Sequence, residues 1–322
     1  MNCTGAWIDD LLRTSRLQSN YATSIAINLI VNQVWSDVAA GLPSRPADGK
    51  NPQILFFVPW RNKTMIGTWH IPWHDAPNAF HMSEAVIQDF LDEINSAHPS
   101  LRLTHDDVQH VTWGFLPVNK EDAHKKQIKL TRDGVVIDHS KKDGIAGLLS
   151  VLGVKYTTAR AVAEQAVDLA VNKLSAHTTE CQTHITQIHG GCIKNFQAFL
   201  DQALSKELQQ FDKETISHLV YTYGSEYPGL VGYNLPQRVN LLSSVIDAEV
   251  LHAVRQEMAL TLLDVIQRRT ELGATGLPTL STLQKCADLM ARELGWTLER
   301  QQREIDSVVR AYPFRQAERV IA

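Results

Sequence analysis

LLSVLGVKYTTAR, from Leu148 to Arg160, puts a short apolar segment directly before a glycine and a threonine pair. The segment Leu148–Leu152 predicts a β-strand, and Gly153 predicts the turn that ends it. Thr157 and Thr158 are residue types that cap helices, and the apolar positions after them recur at helical spacing. A strand, a glycine turn and a helix N-terminus in succession are typical of sites that receive anionic or electron-rich ligand groups.

Residues 50 to 160 indicate an α+β domain with a mixed or antiparallel sheet. Ile54–Pro59 and Thr64–Trp69 are extended apolar segments joined by the polar turn 61–63, which predicts a β-hairpin. Ser83 predicts the N-cap of a helix whose apolar residues recur between Val86 and Ile94. Three further short segments predict strands: Val108–Thr112, Ile128–Leu130 and Val135–Asp138.

From about residue 194 onward the pattern is almost wholly helical. Ala248–Leu272 predicts one long helix that stops at Gly273. A second helix is predicted to begin at Ser281 and stop at Gly295, and Thr297 predicts the cap of a third. We therefore expect two domains, an α+β domain over residues 1–193 and an all-α C-terminal domain over residues 194–322.

Composition excludes several classes of protein. Of 322 residues, 44% are hydrophobic and 20% charged, which is an ordinary globular balance, and the net charge of −4 gives no electrostatic reason to expect a nucleic acid partner. The longest apolar stretch, Ala22–Val34, is interrupted by polar residues and is too short to cross a bilayer. Four cysteines are too few for a disulfide framework, which favours a cytoplasmic location.

Two phosphate-binding motifs are absent from the printed sequence. It contains neither a Gly-x-Gly-x-x-Gly fingerprint nor a Gly-Lys-Ser/Thr loop, so it offers no recognisable cradle for a dinucleotide pyrophosphate.

Several segments, taken in order, resemble the FAD-dependent glycerol-3-phosphate dehydrogenases. In the first half they are NCTGAW (2–7), FVPWR (57–61), IGT (66–68) and LSVLGVKYTTAR (149–160). In the second half they are RQEMA (255–259), Asp264, RRT (268–270), LMA (289–291) and LGW (294–296). Each segment alone is weak evidence, but the ordered set spans nearly the whole chain.

The resemblance implies a bound FAD and names its contacts. Thr4, Gly5 and Trp7 match one flavin-binding segment of the family, and Gly153, Lys155, Thr157 and Thr158 match the segment that lies against the flavin. A cation at a helix N-terminus also suits this role by itself, since it stabilises negative charge that builds on the pyrimidine edge of a flavin during reduction. The alternative is a plain strand-to-helix turn with a solvated lysine.

The resemblance further implies that a glycerol 3-phosphate-like secondary alcohol is oxidised by hydride transfer to flavin, with a quinone or another acceptor taking the electrons. Arg132 matches a family arginine associated with the phosphate, and its alternative is a surface arginine. Two departures affect this phosphorylated polyol site. Leu116 stands where the family has an arginine, which removes a contact of roughly 1.5–3 kcal/mol, and His70 stands in place of an aspartate. We therefore expect His70 to contact the substrate hydroxyl or anion in part compensation.

In the family, the segment equivalent to residues 2–7 follows a long region that carries the glycine fingerprint for the FAD adenosine diphosphate. The sequence therefore predicts the C-terminal portion of such an enzyme, with the ADP-binding region supplied by a longer product or by another chain. The alternative is a non-catalytic remnant or binding module.

A third reading uses Cys181, His184, His189 and Cys192 as zinc ligands, but only four residues separate the two pairs, and a polar linker is favoured over a metal site.

Overall fold

The computed structural model describes residues 1–19, 21–35, 38–45, 52–119, 134–153, 155–206 and 210–312. Within them the chain divides into two compact units, Met1–Thr186 and Gln187–Ala322. The first unit contains both sheets, and the described elements of the second are helical, so the predicted α+β class with a helical C-terminal region is confirmed. Arg132 and the candidate strand Ile128–Leu130 lie outside the described residues.

A five-stranded antiparallel sheet, ordered β2-β3-β4-β1-β5, forms the larger sheet of the first unit. The predicted hairpin of β3 and β4 is confirmed with longer strands, and its two-residue turn carries the positive φ angles of Arg61 and Asn62. A separate pair, β6 and β7, is also antiparallel. The strands are β1 (Tyr21–Asn32), β2 (Ala40–Pro43), β3 (Ile54–Trp60), β4 (Lys63–Trp73), β5 (Val108–Asn119), β6 (Val135–Asp138) and β7 (Leu149–Leu152).

One helix covers a face of the larger sheet. It begins after Ser83, whose hydroxyl accepts the amide of Val86, so the predicted N-cap is confirmed. Its Phe90 is fully buried and stacks on Trp69 of β4 with ring centroids 4.8 Å apart. The helices of this unit are α1 (Ile8–Thr14), α2 (Glu84–Ala97), α3 (His139–Lys142) and α4 (Tyr156–Lys173).

The start of α4 differs from the prediction. Lys155 is its N-cap and no side chain caps it, so the predicted capping by Thr157 and Thr158 is wrong. Both threonines lie within the first turn, where the Thr158 hydroxyl instead donates to the carbonyl of Lys155.

The second unit packs its helices around two apolar clusters. The predicted helix Ala248–Leu272 is wrong in its length, because Met258 adopts the left-handed conformation at the end of α8 and Thr261 caps a new helix. A π-helical turn, Val265–Arg269, follows. Thr297 caps the last helix as predicted. The helices are α5 (Phe196–Ser205), α6 (Lys213–Tyr223), α7 (Tyr227–Val231), α8 (Asp247–Glu257), α9 (Leu262–Asp264), α10 (Leu280–Leu294) and α11 (Leu298–Ala311).

Among the described residues, no helix combines the length and the apolar character needed to span a lipid bilayer.

Candidate flavin and substrate site

The segment that begins at Asn2 is anchored by a fully buried side chain. The Asn2 amide donates to the carbonyl of Ile8 at 3.1 Å, and its side-chain oxygen accepts from the hydroxyl of Thr4 at 2.6 Å and from its backbone N–H at 3.2 Å. These bonds close a tight loop in which Gly5 has a φ of +59°, a conformation that glycine adopts without strain. Thr4, Gly5 and Trp7 are exposed at the surface of this loop.

Trp7 links this loop to the larger sheet. Its indole N–H donates to the side-chain oxygen of Asn78 at 2.9 Å, and its ring meets Phe115 of β5 edge-on with centroids 6.0 Å apart. The orientation of the loop is therefore set both by its own buried asparagine and by an aromatic contact with β5.

The described residues of the turn between β7 and α4 are open to solvent. Gly153 is exposed, and a Cβ built on it would meet no atom within 4 Å. Lys155 and Thr157 are exposed as well, and Thr158 is half-buried. The first turn of α4 thus presents N–H groups and a nearby lysine to solvent, an arrangement that favours negative charge.

The N-terminal loop and this turn lie at the same edge of the smaller sheet. Asn2 forms a parallel bridge with Ser150 of β7: its N–H donates to Leu149 at 2.7 Å, and its carbonyl accepts from Val151 at 2.8 Å. Because the pairing is parallel, the residues that follow Asn2 and those that follow Ser150 leave the bridge in the same direction. The structure thereby brings Thr4 and Gly5 to the side on which Gly153 and Lys155 lie.

His70 lies on the face of the larger sheet opposite α2. It pairs with Ala26 of β1, whose other neighbour is Gly114 of β5. The side chain of Gln53 holds its backbone, donating to the His70 carbonyl at 3.2 Å and accepting its N–H at 3.0 Å. Its Nδ1 is buried with no hydrogen-bond partner among the described residues. Burial lowers the pKa of His70 from its ordinary value, which favours the neutral imidazole at neutral pH.

Leu116 lies on the same face of the larger sheet as His70, two strands across and two residues along. It pairs with Ser24 of β1, and Ser24 pairs on its other side with Pro72. With strands about 4.8 Å apart and residues rising about 3.4 Å each, the Cα atoms of His70 and Leu116 are about 12 Å apart. The Ser24 hydroxyl, fully buried, also has no hydrogen-bond partner in the described part of the chain.

Sequence reasoning missed the polar residues of β1. Asn28 accepts from the Thr68 hydroxyl at 3.1 Å and donates to the Thr112 hydroxyl at 3.3 Å, so one side chain ties β4, β1 and β5 together. The signal was present, because Ser24 and Asn28 interrupt an apolar run at even spacing, which is the pattern of one strand face.

The four candidate zinc ligands do not form a cluster. Cys181 Sγ lies 3.1 Å from the hydroxyl of Thr183, and His184, His189 and Cys192 are exposed. In the described ranges, no group of three or more His, Cys, Asp or Glu side chains is arranged to hold a metal ion.

Comparisons with known proteins agree with this architecture. Residues 181–301 match the family described as the C-terminal domain of alpha-glycerophosphate oxidase. A glycerol-3-phosphate dehydrogenase of Synechocystis is 28% identical over 320 residues, which cover 95% of this chain and 57% of that protein. The glycerol-3-phosphate dehydrogenase of Mycobacterium leprae is also 28% identical, with 95% of this chain and 52% of that protein covered.

A solved structure extends the match to the fold. The glycerol-3-phosphate dehydrogenase from Bacillus halodurans, complexed with FAD, superposes with a TM-score of 0.77 at 25% identity, covering 97% of this chain and 61% of that one. The resemblance to the glycerol-3-phosphate dehydrogenase family is confirmed. The chain spans about half the length of the curated family members it matches. Both the β-rich unit and the helical unit therefore have counterparts in the family fold.

Proposed function

We propose that the chain provides the flavin- and substrate-facing portion of an FAD-dependent oxidoreductase that oxidises a glycerol 3-phosphate-like secondary alcohol. The observation that carries the proposal is the parallel bridge between Asn2 and Ser150, because it brings two segments that match flavin contacts of the family to one edge. The solved relative with the same fold is complexed with FAD.

The residues at this edge fit a flavin. Gly153 leaves space for a planar ring to approach the backbone, since no atom lies within 4 Å of a Cβ built there. The exposed Lys155 and the N–H groups of the first turn of α4 favour an electron-rich ligand edge. Thr4, Gly5 and Trp7 would hold the ring from the N-terminal loop, with Thr157 and Thr158 on the α4 side.

FAD, when bound, would supply the hydride acceptor for the alcohol carbon. Lys155 would stabilise negative charge at the pyrimidine edge of the ring, and Arg132 would bind an anionic group of the substrate. His70, held neutral by burial, would contact the substrate hydroxyl or anion. A quinone or another acceptor would be the electron-accepting partner. The four cysteines are free thiols, which supports a reducing, cytoplasmic setting.

Titration of the purified chain with FAD, followed by anaerobic addition of glycerol 3-phosphate, tests the proposal. We expect a bound flavin whose visible absorbance falls when substrate is added and the flavin is reduced. Lys155→Ala should weaken binding and slow the bleaching, and Lys194→Ala, an exposed lysine of the helical unit, is the matched control. Equal binding and bleaching by both variants would contradict the role of Lys155.

Leu116 and His70 test the substrate side of the proposal. Leu116→Arg should lower the KM for the phosphate ester by roughly 10- to 100-fold, since a charge-assisted hydrogen bond is worth about 1.5–3 kcal/mol. Leu116→Met is the control for side-chain length without charge. His70→Ala should reduce turnover, and unchanged turnover would count against a substrate contact.

A non-catalytic binding module is the second candidate function. One observation favours it: Leu116 stands where the family resemblance implies a substrate-binding arginine. If FAD binds only after a dinucleotide-binding chain is added, that chain is the partner. If FAD binds in neither case, the binding-module function is favoured.

A further inference from the structure

A buried serine, a buried histidine and a solvent-accessible carboxylate form a continuous hydrogen-bonded array in the first unit. His139 is only 2% exposed and begins α3. Its Nδ1 lies 2.6 Å from Asp143 Oδ2, and its Nε2 lies 2.8 Å from the hydroxyl oxygen of Ser150. Ser150 is fully buried, in the middle of β7.

The chemistry of the carboxylate sets the direction of one of these bonds. A carboxylate accepts only, so Nδ1 donates to Asp143. The other ring nitrogen, Nε2, is hydrogen-bonded to the Ser150 hydroxyl. Both ring nitrogens are satisfied, which buried polar groups require.

Burial excludes a nucleophilic role for Ser150. The same three residue types catalyse acyl transfer where the serine is exposed to substrate, but here the hydroxyl has no accessible surface. The array must therefore act on the elements that it joins.

Those elements are α3 and β7, and β7 in turn pairs with the N-terminal loop of the proposed flavin site. Ser150 lies between the two backbone bonds of the bridge, Asn2 N–H to the Leu149 carbonyl and Val151 N–H to the Asn2 carbonyl. The side chain of Asn2 continues the path to Thr4. Hydrogen bonds, continued through the covalent backbone of β7, thus connect Asp143 to Thr4.

We infer that Ser150, His139 and Asp143 are positioning residues that hold the N-terminal loop and the β7–α4 turn in register for flavin binding. The inference rests on the proposed function. The array fixes β7 against α3, and a fixed β7 keeps the bridge to Asn2 in register. The free protein then already holds the arrangement that the ligand needs, and binding costs less ordering.

Amide hydrogen exchange in the FAD-free protein tests the array independently of flavin. Ser150→Ala removes the hydroxyl that bonds to His139, and we expect the Val151 amide to exchange roughly three- to tenfold faster, the ratio expected for one lost hydrogen bond. Asp143→Ala should act in the same direction, and Asp143→Asn, which keeps an acceptor for Nδ1, should restore slow exchange. Ser140→Ala is the matched control, because Ser140 lies in α3 and bonds to Asp138 and Lys173 outside the array.

Flavin titration of the same variants separates positioning from a structural role. The titrations are made at urea concentrations where every variant is folded. We expect the dissociation constant for FAD to rise by a similar factor in Ser150→Ala and Asp143→Ala, and to return to the wild-type value in Asp143→Asn. Unchanged exchange at Val151, or faster exchange with an unchanged dissociation constant, overturns the inference. If the unmodified chain binds no FAD, the proposed function fails. Hydrogen exchange still tests the array in that case, because an exchange rate at Val151 that is unchanged by Ser150→Ala overturns its positioning role.

Discussion

Gly67 provides a sharp test of the sheet that carries His70. It lies in β4, and a Cβ built on it would lie 2.2 Å from the side-chain oxygen of Asn28 and 2.9 Å from the backbone carbonyl of Ile27. The carbonyl belongs to β1, which is paired on both sides, and cannot retreat without moving the ladder. Gly67→Ala therefore forces Asn28 to turn away from Thr68 and Thr112.

The free energy of unfolding should fall by about 3 kcal/mol. Overpacking a tight site costs about 1–3 kcal/mol, and the displaced Asn28 loses hydrogen bonds worth about 1 kcal/mol each. The lower entropy of the unfolded alanine chain returns about 0.5 kcal/mol. For a urea dependence of about 2 kcal/mol per molar, the midpoint should fall by about 1.5 M.

Gly114→Ala is the matched control on the other side of β1. A Cβ at Gly114 would meet no atom within 4 Å, so this variant should be as stable as the wild type or up to about 1 kcal/mol more stable. Tryptophan fluorescence is a suitable probe, since all but one of the seven tryptophans, Trp296, lie in the first unit. Coincident urea midpoints for the two variants would refute the reasoning.

Three further predictions concern single buried groups. Burial lowers the pKa of His110 to about 4, below its ordinary 6.5. The folded state therefore resists protonation, and the free energy of unfolding should fall by about 3 kcal/mol as the pH falls from 6.5 to 4. Urea midpoints that fall equally in the wild type and in His110→Gln over this window would contradict the prediction. Tyr312→Phe leaves the buried carbonyl of Gly273 without its 3.0 Å donor and should cost about 1–2 kcal/mol in urea unfolding followed by circular dichroism; an unchanged midpoint would exclude a contribution of this bond. Glu304→Ala removes the acceptor of the buried Leu262 N–H, so the free energy of unfolding in the same assay should fall by about 2 kcal/mol. Glu299→Ala, at an exposed site of the same helix, is the control and should be nearly neutral.

Local signals made part of the fold predictable. Ser83 caps its helix because its hydroxyl reaches the amide three residues on, a contact set entirely within one turn. The hairpin turn at Arg61 and Asn62 is equally local. The break at Met258 had a local signal that was overlooked, since Thr261 and Asp264 form a capping box inside an otherwise periodic stretch.

Other features depend on contacts that periodicity does not encode. The pairing of Ser24 with Leu116 joins residues far apart in the chain, and the role of His139 arises only when β7 lies beside α3. The loop and turn segments of the candidate site were identified from their resemblance to a family, and their adjacency follows from the bridge at Asn2. Arg132 stays a prediction, as do the roles of Lys155 and His70.

The strand order has a consequence for how the first unit folds. β1 is the first strand along the chain, yet it lies in the interior of the sheet between β4 and β5. Its pairing with β5 joins Tyr21 to Asn119, so this edge of β1 stays open until nearly a hundred residues more have been synthesised. Such long-range pairing slows folding, and an open apolar strand edge invites association with other chains. During synthesis the apolar strand β1 therefore depends on prompt arrival of β5, and conditions that slow elongation should lower the yield of folded protein.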